Sequence, residues 1–161
     1  MTRRPDLRFL LHHPAHFIAL GFGAGLSPFA PGTFGTLVAI PIALALRAYG
    51  GDLAFVAAFV TIFVVGIWAS QVTGRDLGVP DYGGIVIDEV AAFLVVLYFT
   101  GITPLAIAVS FVLFRLFDIV KPPPIRQLDA AMKNGLGVMF DDLLAACYTL
   151  IAYAIGQRLL A

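Results

Sequence analysis

The stretch IVIDEVAAFLVVLYFT, residues 85–100, decides the fold. Sixteen residues run with no charge except Asp88 and Glu89, between Gly83-Gly84 and Gly101. A run of that length, ended by glycines, reads as helix rather than strand. As a helix it rises roughly 24 Å, short of the ~20 residues that a full membrane crossing takes. To cross, it must hold Asp88 and Glu89 at the headgroup level or slightly deeper. A carboxylate within hydrocarbon costs roughly 2.5–3.5 kcal/mol, so two acids there need a reason.

Four further apolar runs cover residues 34–46, 53–69, 103–117 and 143–156, and a glycine-rich stretch, 17–26, is too short to cross alone. Gly101 to Thr103, followed by Pro104, makes a tight turn between two of the runs. The expected fold is therefore all-α: a small multi-pass membrane bundle of about five apolar helices, in one domain over residues 1–161. The competing reading is a soluble, unusually apolar helical bundle, because the runs are short. No internal repeat or low-complexity tract is present.

Composition narrows the function. Charged residues are 12% of the chain, about half the usual share. Ten Lys and Arg balance ten Asp and Glu, which leaves no basic surface for nucleic acid. The single cysteine, Cys147, excludes an internal disulfide and a cysteine-based zinc site. The amino terminus, MTRRPDLRFLLHHPAH, starts basic like a signal peptide. His12, His13, Pro14 and His16 interrupt its apolar part, so it is expected to be retained and cytoplasmic.

The positive-inside rule orients the five runs. With the amino terminus inside, Arg3, Arg4, Arg8, Arg75, Arg115, Lys121, Arg126 and Lys133 fall on the inner side, leaving Arg47 and Arg158 outside. The same assignment gathers every acid but Asp52 on the inner face, although acids played no part in setting it. Several carboxylates ~4 Å apart repel by about 4 kcal/mol per pair at an effective dielectric near 20, so a shared site needs a cation or protons. A Mg²⁺-type, oxygen-liganded site at the membrane edge is the expectation.

Four motifs carry the polar chemistry. In GFGAGLSPFAPGTFGT, residues 21–36, Ser27 or Thr33 is a candidate cap for a helix starting at Phe34, whose free N–H groups suit phosphate; the alternative is a glycine-lined packing segment. In DYGGIVIDE, residues 81–89, adjacent Asp88 and Glu89 point about 100° apart on a helix and are not expected to chelate one ion from one face without local bending. They are otherwise helix-capping acids. In FRLFDIVKPPPIRQLD, residues 114–129, Arg115, Asp118 and Lys121 recur every third residue on one helix face, which the prolines then end. An intrahelical Arg–Asp pair with snorkelling cations explains part of this, but not the return to Arg126 and Asp129. In KNGLGVMFDD, residues 133–142, a glycine loop leads into Asp141 and Asp142, one of which is expected to cap the last helix. No cysteine-phosphatase loop, haloacid-dehalogenase motif, histidine lipid-phosphatase spacing or CDP-alcohol transferase signature is present. Carboxylates, a few cations and a phosphate-friendly loop fit metal-assisted attack of water on a phosphoester.

Taken together, Gly25-Leu26-Ser27-Pro28 through Pro31-Gly32-Thr33, Ile87-Asp88-Glu89, Phe114-Arg115 to Asp118 to Lys121-Pro122, and Gly137 to Asp141-Asp142 resemble phosphatidylglycerophosphatase A of bacteria. The resemblance covers residues 14–156 with motif order kept. It implies an all-helical, Mg²⁺-dependent enzyme that removes the terminal phosphate of phosphatidylglycerophosphate in phospholipid biosynthesis. It places that enzyme in the inner membrane as a multi-pass protein with a cytoplasmic active site. The resemblance carries over Asp88, Glu89, Asp118, Asp129, Asp141 and Asp142 as the acidic positions. From the chemistry of the residues we expect Asp88, Glu89, Asp118, Asp141 and Asp142 to hold the metal, with Asp88 and Asp118 also catalytic, and the following roles beside them. Asp129 is a further ligand or orients the attacking water. Arg115, Lys121 and Arg126 neutralise the phosphate, while Ser27, Gly32 and Thr33 receive its oxygens on backbone N–H groups. No role falls to Tyr82 or Pro123. Two other classes stay open: a non-catalytic cation-transporting or metal-binding membrane protein, which should carry acids at both ends of a path, and a partner subunit whose charges pair with another protein. The number of metal ions and the oligomeric state are not encoded in any of these motifs.

Overall fold

A computed structural model describes residues 4–160, and every regular element in them is a helix. Two short helices, α1 (Leu7–His12) and α2 (Pro14–Ala19), lead into a 3-10 segment, Gly21–Leu26. The five expected apolar runs lie in α3 (Pro31–Tyr49), α4 (Gly51–Leu77), α5 (Ile87–Thr100), α6 (Pro104–Val120) and α8 (Gly135–Leu160). A short α7 (Ile125–Ala131) follows the proline turn at residues 122–124. Three of the five, α3, α4 and α8, are long and apolar enough to cross a membrane by themselves.

The sequence left α5 too short to cross, and packing resolves the difficulty. α5 sits at the centre of the bundle, against α3, α4, α6 and α8. Ile87 to Leu94, Val96 and Leu97 are all buried, which is what a helix apolar on every side requires. Because protein surrounds it, α5 has no need to match the hydrocarbon thickness. Phe93, at its midpoint, packs on Phe114 and Phe111 of α6, and Val86 just before it donates its N–H to Ala19 O of α2 at 2.9 Å.

The outer helices are apolar outward. On α4, Val56, Val60, Val64 and Trp68 recur every fourth residue and are each about half exposed. On α6, Leu105, Val109, Val112 and Leu116, spaced four, three and four residues apart, form a second exposed apolar stripe. Such stripes form a continuous apolar surface far beyond what a water-soluble monomer shows, and the bundle is a membrane protein.

Chain reversal at each turn gathers one end of every long element. The amino ends of α3, α5 and α8 meet the carboxyl ends of α4 and α6, and this end holds nearly all the charge. At the opposite end Arg47 bonds Tyr98 O at 2.6 Å and Asp52 at 3.1 Å. α8 is fixed to α4 where the Gly135 N–H donates to Gln71 Oε1 at 2.8 Å. A Cβ at Gly135 would fall on the Ile67 carbonyl and within 2.9 Å of Gln71 N, whereas one at Gly156 of the same helix would meet nothing within 4 Å. Gly135→Ala is therefore expected to cost about 1–3 kcal/mol as α8 is pushed from α4, and Gly156→Ala to be neutral or to stabilise by up to ~1 kcal/mol. Paired melting curves in one detergent check this difference.

Candidate active site

Two helices, α5 and α8, build the centre of the charged face. Asp88 and Glu89 stand in the first turn of α5, and Asp142 stands two turns into α8. One carboxylate oxygen from each lies within 4.8 Å of the other two. The adjacent pair Asp88 and Glu89 thus converges, contrary to the expectation from their 100° separation. Glu is one carbon longer than Asp and can reach round the helix, and the helix begins beside them, at a Val86 whose backbone (φ −137°, ψ 9°) is not helical.

These acids are 9%, 8% and 2% exposed, and Asp88 Oδ1, Glu89 Oε2 and Asp142 Oδ2 have no hydrogen-bond partner among the described residues. Three buried like charges with orphan oxygens are unstable alone. The donor set is all carboxylate oxygen, the chemistry that suits a hard divalent cation such as Mg²⁺ or Mn²⁺.

The other site residues surround this centre. Arg115 Nη1 lies 2.6 Å from Asp118 Oδ2 and 3.6 Å from Glu89 Oε1, so it bridges the two, and the Asp118 carboxyl also faces that of Asp142 directly. Arg115 also reaches Thr36 Oγ1 at 3.4 Å, while that hydroxyl donates to Gly32 O at 2.9 Å, which ties α3 to α6. Thr36 was missed in the sequence, although its place one turn after Gly32 is the signal that could have found it. A Cβ at Gly32 would fall on Glu89 Oε1 and 3.0 Å from both Arg115 terminal nitrogens. Gly32 is therefore needed for the close approach of α3 to the acids.

Asp141 faces elsewhere than its neighbour Asp142. It accepts from Lys121 Nζ at 2.5 Å, and Lys121 also lies 3.5 Å from Asp129. Lys133 then bridges Asp129 (3.0 Å) and Asp81 (3.1 Å). The result is an outer chain of alternating charges, Asp141–Lys121–Asp129–Lys133–Asp81. Burial opposes charge on Lys121, but the Asp141 hydrogen bond and the fields of Asp141 and Asp129 outweigh it and raise the amine above the usual lysine range. Burial likewise pushes Asp129 up, and Lys133 and Lys121 outweigh it and hold its carboxyl below the usual range. That contribution to stability is present above ~pH 4 and is lost as pH falls through the lowered folded value. Arg126 is exposed and makes no ion pair with the described residues.

The phosphate-friendly loop is narrower than its sequence suggested. α3 begins at Pro31, not Phe34, behind an Ala30 in the left-handed region (φ 42°), and neither Ser27 nor Thr33 caps it. Ser27 Oγ turns back on Phe29, donating to its carbonyl at 2.8 Å. The Thr33 N–H already donates to Ala30 O at 2.9 Å and the Ser27 N–H to Ala24 O at 3.1 Å. Prolines 28 and 31 have no N–H, which leaves Ala30 and Gly32 as the uncommitted donors near the acids. Ser27 lines a separate cavity of about 400 Å³ shared with Tyr82, Gly83 and Gly84.

With this arrangement in place, the likeness to known proteins is specific. The family model for phosphatidylglycerophosphatase A matches residues 17–157. The chain belongs to the phosphatidylglycerophosphatase A family. It is 40% identical over 153 residues to phosphatidylglycerophosphatase A of Haemophilus influenzae, covering 94% of each chain. It is 36% identical over 153 residues to the Escherichia coli K12 protein of the same name, covering 94% of this chain and 88% of that one. A Bacteroides thetaiotaomicron protein provisionally named a phosphatidylinositol-3-phosphatase is 38% identical over 147 residues, covering 87% of this chain and 91% of its own. No solved structure matches the chain significantly. Family membership makes this chain an enzyme, a phosphatase of phosphate monoesters.

The repulsion at the centre has a measurable sign. In metal-free protein, Asp88→Asn and Asp142→Asn are each expected to raise the melting temperature by removing one of three mutually repelling charges. Each should also abolish the stabilising shift that Mg²⁺ gives the parent protein. Melting curves with chelator and with Mg²⁺ check both; a variant that melts lower in chelator identifies its acid as structural.

Proposed function

We propose that this phosphatase hydrolyses phosphatidylglycerophosphate to phosphatidylglycerol and phosphate, uses Mg²⁺, and works at the cytoplasmic face of the bacterial inner membrane in phospholipid biosynthesis. The observation that carries the reading is the triad of orphan carboxylate oxygens, Asp88 Oδ1, Glu89 Oε2 and Asp142 Oδ2, buried at one end of an apolar bundle. A lipid phosphomonoester presents its headgroup at that depth while its tails stay in the bilayer. The named activity of the Haemophilus and Escherichia relatives supports the same substrate.

Asp88, Glu89 and Asp142 would hold the metal, with Asp118 and Asp141 adjoining through their ion pairs. A bound Mg²⁺ supplies charge neutralisation on the phosphoryl oxygens and a lowered pKa for water. The chain's own groups do the rest. Arg115 keeps its Nε unpartnered and buried, so it can donate to a phosphate oxygen while Nη1 stays on Asp118. Lys121 and the open Arg126 add positive charge at the mouth. The uncommitted N–H of Gly32, beside Glu89, can receive a further oxygen. Asp129, a quarter exposed and held ionised by Lys121 and Lys133, would orient the attacking water by accepting a hydrogen bond from it. Water adds to phosphorus, the bond from phosphorus to the glycerol oxygen breaks, and that oxygen leaves with a proton as the alcohol. The transport alternative is disfavoured, because the only acid at the opposite end, Asp52, is paired with Arg47.

Purified protein should release phosphate from phosphatidylglycerophosphate with Mg²⁺ and stop in chelator. Asp88→Asn, Glu89→Gln and Asp142→Asn should each lower turnover by at least ~100-fold, while Asp52→Asn and Cys147→Ser stay active. Full activity in chelator would refute the metal role. Faster release from phosphatidylinositol 3-phosphate would move the substrate to the class named for the Bacteroides relative.

Orientation has its own test. In a Cys147→Ser background, Tyr49→Cys lies at the end remote from the acids and Gly83→Cys on the acidic end; Tyr49 is 92% exposed and Gly83 has open space around it. An impermeant thiol reagent added to intact cells should label the first and not the second. The reverse pattern would turn the active site outward.

A further inference from the structure

The amino-terminal hairpin supplies nothing to the carboxylate cluster, yet a second cavity opens beside it, and Arg4, just ahead of the hairpin, borders both this cavity and the one at Ser27. α1 and α2 pack together, α2 lies along α4, and a space of about 690 Å³ opens beside them at the carboxyl end of α4. Arg4, Arg8, His12 and His16 line it, with Asp6 and Asp76. Both acids are committed to other work. Asp76 accepts from His16 Nε2 through Oδ2 and from Arg75 Nε through Oδ1, each at 3.1 Å. Asp6 Oδ1 caps α1 by accepting the Phe9 N–H at 2.9 Å. Arg4 and Arg8 are exposed and have no carboxylate partner among the described residues.

The floor of the cavity is fixed. His16 is 2% exposed, its Nδ1 lies 3.0 Å from Phe9 O, and its ring stacks on Phe9 with centroids 3.9 Å apart. Arg8 and His12 stand one turn apart on α1, on the same face. The cavity therefore has a preformed wall and two guanidinium groups without a carboxylate partner among the described residues, the charge chemistry that attracts phosphate.

A second observation says where that phosphate comes from. Leu7 and Leu11, also one turn apart on α1, are 67% and 73% exposed. Phe17 and Phe22 are exposed as well and touch edge to face, with centroids 5.5 Å apart. Exposed apolar side chains beside free cations, at the end of a membrane bundle, are the composition of an interfacial segment. The apolar groups enter the acyl boundary and the cations meet headgroups.

We propose that this cavity is a phosphate-binding site distinct from the carboxylate cluster, that its ligand is the headgroup phosphate of an anionic phospholipid of the bilayer, and that this contact seats the amino-terminal hairpin on the membrane. Free phosphate shares the charge chemistry and lacks the tails that Leu7 and Leu11 would accompany. The test uses the full chain in a neutral detergent with chelator present, so that the metal-free acids repel anions and leave this site to report. Calorimetric titrations compare dihexanoyl phosphatidylglycerol, dihexanoyl phosphatidylcholine and inorganic phosphate at one salt concentration. The expected result is saturable binding of the first, at least tenfold tighter than the other two. The Arg4→Gln, Arg8→Gln double variant should lose at least tenfold in that affinity with an unchanged melting temperature, and Arg158→Gln, at the far end of α8, should lose none. Equal binding of phosphatidylcholine, or a double variant that binds like the parent, would overturn the site. Inorganic phosphate binding as tightly as phosphatidylglycerol would overturn the lipid assignment.

Discussion

Three carboxylates brought together in a buried place, with one orphan oxygen each, constrain everything around them. Asp88 and Asp142 have no cation of their own and Glu89 has only the longer 3.6 Å contact of Arg115, although cations are close: Arg115 is drawn first to Asp118, Lys121 to Asp141, and Lys133 to Asp129 and Asp81. The basic side chains neutralise the rim and leave the centre negative. A protein that only needed to hide these charges would have turned Lys121 inward. Leaving them bare is explicable when a ligand completes the set.

The division between centre and rim comes from helix geometry. Asp141 and Asp142 are neighbours, so their side chains leave α8 about 100° apart. Asp142 joins the acids of α5 and Asp141 joins Lys121 at the α6–α7 turn, so a single helix turn serves both the centre and the rim. Gly32 completes the enclosure, since any side chain there would displace Glu89 or Arg115. The apolar bundle behind the site holds these ends in register, with α5 in the middle and the apolar stripes of α4 and α6 facing outward.

Much of this was legible in residue order. The five apolar runs became five helices, closely for residues 85–100, while α4 continues eight residues past its run and α8 begins eight residues before its own. The gathering of acids at one end followed from counting chain reversals. What the sequence hid was long-range. Nothing local says that α5 is enclosed on all sides, and enclosure is what makes a 14-residue helix acceptable. The union of Asp142 with Asp88 and Glu89 joins residues more than fifty positions apart, and no spacing encodes it. The start of α3 was misplaced by three residues because Pro31 at a helix start and Ala30 in a left-handed conformation replace the side-chain cap that Ser27 or Thr33 suggested. The His16–Asp76 pair was invisible for the same reason as the triad, since sixty residues separate its members.

The central claim is that Asp88, Glu89 and Asp142 together hold a divalent cation. Anomalous diffraction from crystals grown with Mn²⁺, a carboxylate-seeking substitute for Mg²⁺, tests it most directly. The account predicts a peak about 2.0–2.3 Å from one oxygen of each of the three acids, with Lys121 still on Asp141. A peak among Asp81, Asp129 and Asp141 instead, or none at saturating Mn²⁺, would contradict it.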